Sequence, residues 1–176
     1  MASAAAAAPA PAIRRLIERL QLRPHPEGGY YAETFRARET IAHAHLPARF
    51  GGDRCHYTAI YFLLDGQDFS AFHRIHSDEI WHFYQGCALH LEVLHSDGRH
   101  EQIRLGTDLE QGARFQAMVP AGAWFAARPA QADGFALVGC TVAPGFDFAD
   151  FELARTATLS AVYPQHAALI QSLCRS

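Results

Sequence analysis

The punctuation of this chain limits its fold more than any other feature. From about residue 24 to residue 150, short runs rich in Tyr, Phe, Ile, Val and Thr alternate with Gly, Pro and Asp-Gly breaks. YTAIYFLL precedes Asp65-Gly66, LHLEVL precedes Asp97-Gly98, IRL precedes Gly106, FQAMV precedes Pro120, and FALVGCTV precedes Pro144-Gly145. Asp-Gly between apolar runs is a hairpin signal, because both residues tolerate the positive φ values of a tight two-residue turn. Strands recurring every 8 to 12 residues or so, with no helical period between them, predict an all-β sandwich or barrel. Helical stripes occur only near the ends. Ile13, Leu16, Ile17 and Leu20 fall at i, i+3, i+4 and i+7, which predicts a short helix stopped by Pro24 and Pro26. Pro164 is placed to open a last helix carrying Ala167, Leu169, Ile170 and Leu173.

With 176 residues, 49% of them apolar, the chain has material for one domain with a full core. The expected organisation is a flexible Ala/Pro-rich tail over residues 1–12 and a single domain over 13–176. The tail lacks the charged and bulky apolar regions of a secretory signal. A net charge of −3 without a basic run or stripe argues against a nucleic-acid surface. No apolar run approaches the roughly 18 residues that span a membrane. Cys55, Cys87, Cys140 and Cys174 form no C-x-x-C pair, the pattern of reduced packing thiols in a cytoplasmic protein.

FHRIHSDEIWHFYQG, residues 72–86, concentrates His73, His76, His82, Asp78, Glu79 and Trp81. Residues 70–75 and 79–84 read as two strands joined by a tight turn at His76-Ser77-Asp78. Side chains two apart on a strand share a face, so His73 goes with Ala71 and Ile75, and Glu79 with Trp81 and Phe83. A hairpin folded into a barrel would set His73 beside Glu79 in an aromatic pocket. Burial raises a carboxyl pKa and a neighbouring imidazolium lowers it, so such a pair could titrate near neutrality and do acid/base work. The same two residues could equally form a cross-strand pair on a solvated face. His82 and Tyr84 fall on the opposite face. In PEGGYYAETFRA, Gly28-Gly29 precedes an extended run that could serve as an edge strand, pair with a neighbouring subunit and deliver Glu33 or Arg36 to its pocket.

Gly66, His73, Glu79 and Gly86 are spaced as in the first motif of the cupin superfamily, and Gly112 to Gly122, ending in VPAG, resembles the second. Five blocks in order, HPEGGYYAETFRA, TAIYFLL, SAFHRIHSDEIWHFYQG, VPAGAWFAA and VGCTVAPGFDFADFELA, resemble the cupin family known as DUF985 or cupin 5. The likeness runs over roughly residues 13–173. It implies a double-stranded β-helix (jelly-roll) barrel with short terminal helices, and a homodimer. In metal-binding cupins the first motif gives two histidines and a glutamate, and the second gives a further histidine. His73 and Glu79 match; the other two positions are Ile75 and Phe125. The resemblance therefore implies no cofactor. A divalent metal would have to be held by His73 and Glu79 with His76 or His82. The pocket expected is lined by His73, Ile75, Glu79, Trp81, Phe83, Trp124 and Phe125.

Such a pocket resembles that of the nucleotide-sugar 3,5-epimerase cupins, which work without metal through a histidine base, an aspartate beside it and an opposing tyrosine acid. His73 occupies the base position, and Asp147 or Asp150 could stand beside it. FALVGCTV carries no tyrosine, leaving Cys140, Tyr61 or Tyr84 as substitutes. The expected function is binding of a small polar metabolite, with epimerase- or isomerase-like proton transfer by His73 and Glu79. A non-catalytic binding protein and a metal-dependent oxygenase or isomerase are the alternatives.

Overall fold

A computed structural model describes residues 10–175. The elements run α1 (Pro11–Arg19), β1 (Arg23–Pro24), β2 (Tyr30–Arg36), β3 (Thr40–Ile41), β4 (Arg54–Cys55), β5 (Thr58–Asp65), β6 (Ser70–Arg74), β7 (Asp78–Gly86), β8 (Leu89–Leu94), β9 (His100–Leu105), β10 (Gln116–Val119), β11 (Trp124–Pro129), β12 (Phe135–Ala143), β13 (Glu152–Leu153), α2 (Thr156–Val162) and α3 (Ala167–Leu173). Most of the tail assigned to residues 1–12 lies outside the described residues. Pro11 and Ala12 belong to α1, where Pro at the first turn gives up an N–H that has no partner anyway.

Two antiparallel sheets face each other as a jelly roll. One has the order β1-β2-β5-β12-β7-β10, the other β13-β6-β11-β8-β9, and β3 and β4 form a separate ribbon. The space between the sheets is filled by Phe62 and Leu64 of β5, Trp81 of β7, Leu89, Leu91 and Val93 of β8, Phe125 of β11, and Val138 and Cys140 of β12. On β7 this produces strict alternation at the start: Glu79 and Trp81 point in, Ile80 and His82 point out. The outer faces are partly covered too. Ile13 and Leu22 pack on Leu63 and Leu137 of the larger sheet. Leu159, Tyr163, Ile170 and Leu173 pack on Phe72, Leu94 and Ala126 of the smaller one. Coverage on both faces explains why β5 reads as the unbroken apolar run YFLL rather than as an alternation.

Two expected hairpins are absent. Asp97-Gly98 does join paired strands, β8 and β9, with Gly98 at φ 87°. Asp65-Gly66 and His76-Ser77-Asp78 do not: β5 and β7 belong to the larger sheet and β6 to the smaller, so both turns carry the chain across the sandwich. His73 and Glu79 thus face each other from opposite sheets instead of sitting side by side in a ladder. Strand β2 is covered by β1 only at Tyr30 and Tyr31; from Ala32 to Arg36 it pairs with β5 alone and is an edge there. Helix α2 escaped the sequence reading because TATLSAV is poor in helix formers and buries only Leu159. Packing on the sheet supplies what propensity lacks. Pro164 opens a 3-10 turn, and α3 begins at Ala167.

Candidate functional site

Between the sheets lies a cavity of about 350 Å³, within the size range of small-molecule sites. Its floor is made by Glu27, His73, Ile75, Glu79, Trp81 and Cys140; Arg23, Tyr31, Glu33, Arg36, Asp147 and Phe148 surround its mouth. The larger sheet contributes Glu79 and Trp81 on β7 and, on the neighbouring strand, Cys140, which is the register partner of Trp81. His73 comes from β6 of the smaller sheet.

Glu27 comes from a loop. Gly28 at φ 115° and Gly29 at φ 69° turn the chain sharply there. The Glu27 carbonyl accepts from Ala71 N–H at 2.8 Å and from Arg175 Nε at 3.0 Å, which binds the loop to β6. A Cβ at Gly28 would lie 2.2 Å from the Phe69 carbonyl oxygen, so only glycine allows this approach. The loop thereby places the Glu27 carboxyl 3.1 Å from His73 Nε2 and 3.4 Å from His25 Nδ1.

Protonation at the floor follows from these contacts. His73 Nδ1 lies 2.8 Å from the Ala71 carbonyl oxygen, which can only accept, so Nδ1 carries the hydrogen. Nε2 then faces Glu27 with its lone pair. Burial pushes His73 down to about 3 and pushes Glu27 well above the ordinary carboxyl range. The pair therefore holds one bridging proton, donated by a neutral Glu27 carboxylic acid to a neutral imidazole. Ser70 Oγ donates to the other Glu27 oxygen at 2.8 Å. His25 is lowered to about 4 by burial and by Arg23 nearby. Glu79 is raised to about 7 by burial, while the Cys140 thiol and the Trp81 indole beside it pull the other way. Burial and both carboxyls push the Cys140 thiol well up, so it stays protonated and is no activated nucleophile.

At the mouth, Arg36 binds the Glu33 carboxylate through Nη2 at 2.7 Å and Nε at 3.1 Å, and donates to the Phe146 carbonyl at 3.1 Å. The Arg23 guanidinium lies 4.8 Å from the centre of the Tyr31 ring. Phe146, Asp147, Phe148 and Phe151 form one wall. That wall is anchored by Arg54, whose Nε and Nη2 reach the two oxygens of Asp150 at 2.6 and 2.5 Å, with both side chains buried.

Of the residues expected in the pocket, His73, Ile75, Glu79 and Trp81 line the cavity. Phe125 lies behind it, its ring centre 4.0 Å from that of His73. Trp124 does not line it: adjacent residues of β11 face opposite ways, so with Phe125 inside, Trp124 lies outside, under the Arg74 guanidinium and against the helix-covered face. Phe83 packs on the core where β7 shifts register, and is likewise no part of the lining. His76 sits in the crossover, 3.2 Å from Asp150. His82 is on the outer face with Thr141 and Gln116. Neither reaches His73 and Glu79. The acid beside His73 is Glu27, not Asp147 or Asp150. Tyr61 and Tyr84 meet each other outside the barrel, whereas Tyr31 lines the cavity. Glu33 and Arg36 serve the mouth of their own chain's cavity. His25, Glu27 and Tyr31 were missed by the sequence reading; the Gly28-Gly29 pair directly after Glu27 was the available signal.

The donors present do not fit a metal of the kind held by four cupin ligands. Ile75 offers an apolar side chain to the cavity at one ligand position, and at the other Phe125 packs its ring on His73. Among the described residues, no three His, Cys, Asp or Glu side chains are arranged to hold a metal ion.

A family model described as "Cupin superfamily (DUF985)" matches residues 14–154. A hypothetical protein from Leishmania major has a solved structure that superposes with a TM-score of 0.84 at 36% identity, over 93% of this chain and 98% of that one. Protein SO0799 from Shewanella oneidensis superposes with a TM-score of 0.81 at 41% identity, over 92% of this chain and 96% of that one. The uncharacterized protein YML079W of Saccharomyces cerevisiae is 30% identical over 152 residues, 81% of this chain and 75% of its own.

Proposed function

The chain belongs to the DUF985 family of the cupin superfamily, and on that footing we propose that it binds a small polar metabolite in the barrel and moves a proton on it, as an epimerase or isomerase does. One observation carries this reading: two separate proton-holding groups share one cavity, the Glu27–His73 bridge and Glu79. His73 comes from the smaller sheet and Glu79 from the larger, and the loop that joins β1 to β2 lays Glu27 against β6 beside His73. One group can take a proton from one face of a bound carbon while the other returns a proton to the opposite face. A general acid or base works best when its pKa lies near the working pH, and Glu79 at about 7 meets that condition. Tyr31, edge-on to His25 at 4.7 Å between ring centres, is a further proton donor within the same lining. Trp81, Phe62 and the phenylalanines of the 146–151 wall shield the reacting atoms from water.

The test is solvent exchange. The protein is incubated in deuterated water with a panel of sugar nucleotides and sugar phosphates, and each compound is weighed by mass spectrometry. The expected result is a gain of one mass unit in a substrate, lost in Glu79→Gln and in Glu27→Gln. A compound that raises the melting temperature but returns unlabelled and unaltered would replace this reading with that of a non-catalytic binding protein.

A further inference from the structure

We infer that the ligand of this cavity carries a protonated nitrogen, for which Glu79 is the counter-ion; this rests on the cavity being the ligand site proposed above. Glu79 is 7% exposed and lines the cavity, yet among the described residues no arginine or histidine lies within ion-pair distance of it. The sequence contains no lysine, so every fixed side-chain cation is an arginine. Those near the site are engaged elsewhere. Arg36 is held by Glu33, Arg54 by Asp150, Arg74 by Glu152 and Arg175 by Asp68, while Arg23 lies over Tyr31 at the mouth. A buried carboxylate without a cation is costly, and a cation that enters with the ligand removes that cost.

The other groups around Glu79 leave this role open. His25 and His73 are neutral, and the Cys140 thiol is neutral. Glu27 lies close enough for its own charge to be disfavoured by that of Glu79. At the mouth the charges of Arg23 and Arg36 are matched by those of Glu33 and Asp147, so a cation meets no net repulsion on entry. Phe62, Trp81 and Tyr31 add aromatic rings to the lining, and aromatic ring faces attract a desolvated cation. A ligand bearing hydroxyls alone would leave the Glu79 charge uncompensated.

Such binding must weaken in acid. With Glu79 at about 7, its ionised fraction falls from about 0.9 at pH 8 to about 0.03 at pH 5.5, an expected loss of about 30-fold in affinity for a cation. The experiment uses the full chain and two matched pairs of probes: putrescine against butane-1,4-diol, and 3-aminopropane-1,2-diol against glycerol. Binding is followed by NMR titration at both pH values. The expected result is that each amine binds at least about tenfold tighter than its hydroxyl counterpart at pH 8. That preference shrinks at pH 5.5 and is lost in Glu79→Gln, a variant whose fold is checked by circular dichroism. Equal binding within each pair, no amine binding at millimolar concentration, or an amine preference that survives in Glu79→Gln would overturn the inference. Deuterium exchange on a substrate without any amine preference would sink this inference and leave the acid/base reading standing. Amine binding that depends on Glu79, without exchange on any compound, would do the reverse.

Discussion

Replacing Glu79 by glutamine should stabilise the protein in alkaline solution and change little in acid. Burial raises this carboxyl from 4.5 to about 7. At 1.36 kcal/mol per pKa unit, the folded state bears a cost of up to about 3 kcal/mol once Glu79 is ionised. Because the folded value lies above the unfolded one, the protein is fully stable with respect to this group below about pH 4.5. It loses that stability as the pH rises through about 7. Glutamine has nearly the same shape and no charge to bury, so Glu79→Gln escapes the loss. The variant should match the wild type closely near pH 4.5 and exceed it by about 3 kcal/mol at pH 8.5, equivalent to roughly 6–12 °C in melting temperature for a chain of this size. Urea unfolding followed by tryptophan fluorescence at pH 4.5, 7 and 8.5 measures the difference. A gap that does not change with pH would refute the reasoning, because it would mean that the Glu79 carboxyl is solvated or already paired with a cation.

Other consequences follow from the same contacts. His25 and His73 are lowered to about 4 and about 3, so their contribution to stability is fully present above pH 6.5 and is lost as the pH drops toward those values; in a pH series of melting curves, His25→Gln should soften the acid-side decline. Arg54→Ala leaves Asp150 charged and buried, and the loss of such a partner costs about 3–5 kcal/mol. Chemical denaturation should detect that loss, and a variant of unchanged stability would mean that the pair does not anchor the 146–151 wall. Elemental analysis of untagged, dialysed protein should find well under one transition-metal ion per chain; a stoichiometric metal would overturn the reading of Ile75 and Phe125.

The short β-prone runs and their Gly, Pro and Asp-Gly breaks make the all-β architecture legible in the sequence, because strand alternation and turn chemistry are local properties. The same alternation correctly grouped Glu79 with Trp81, and it should have separated Trp124 from Phe125. The first-motif spacing marked His73 and Glu79, both of which line the cavity. The partner of His73 was not legible. Glu27 stands 46 residues earlier, and its carboxyl reaches the imidazole only because the Gly28-Gly29 turn lets the loop lie on β6.

The sequence by itself determined which residues are extended, where the chain turns, and which side chains of a strand share a face. These depend on φ and ψ preferences and on a two-residue period, and neighbouring residues set both. Only the tertiary structure decided that Asp65-Gly66 and His76-Ser77-Asp78 cross between sheets, and that His25, Glu27 and Tyr31 join His73 and Glu79 around one cavity. Which ladder a strand joins is settled by burying apolar surface contributed by the whole chain. The protonation of the floor is settled by the water which that burial removes.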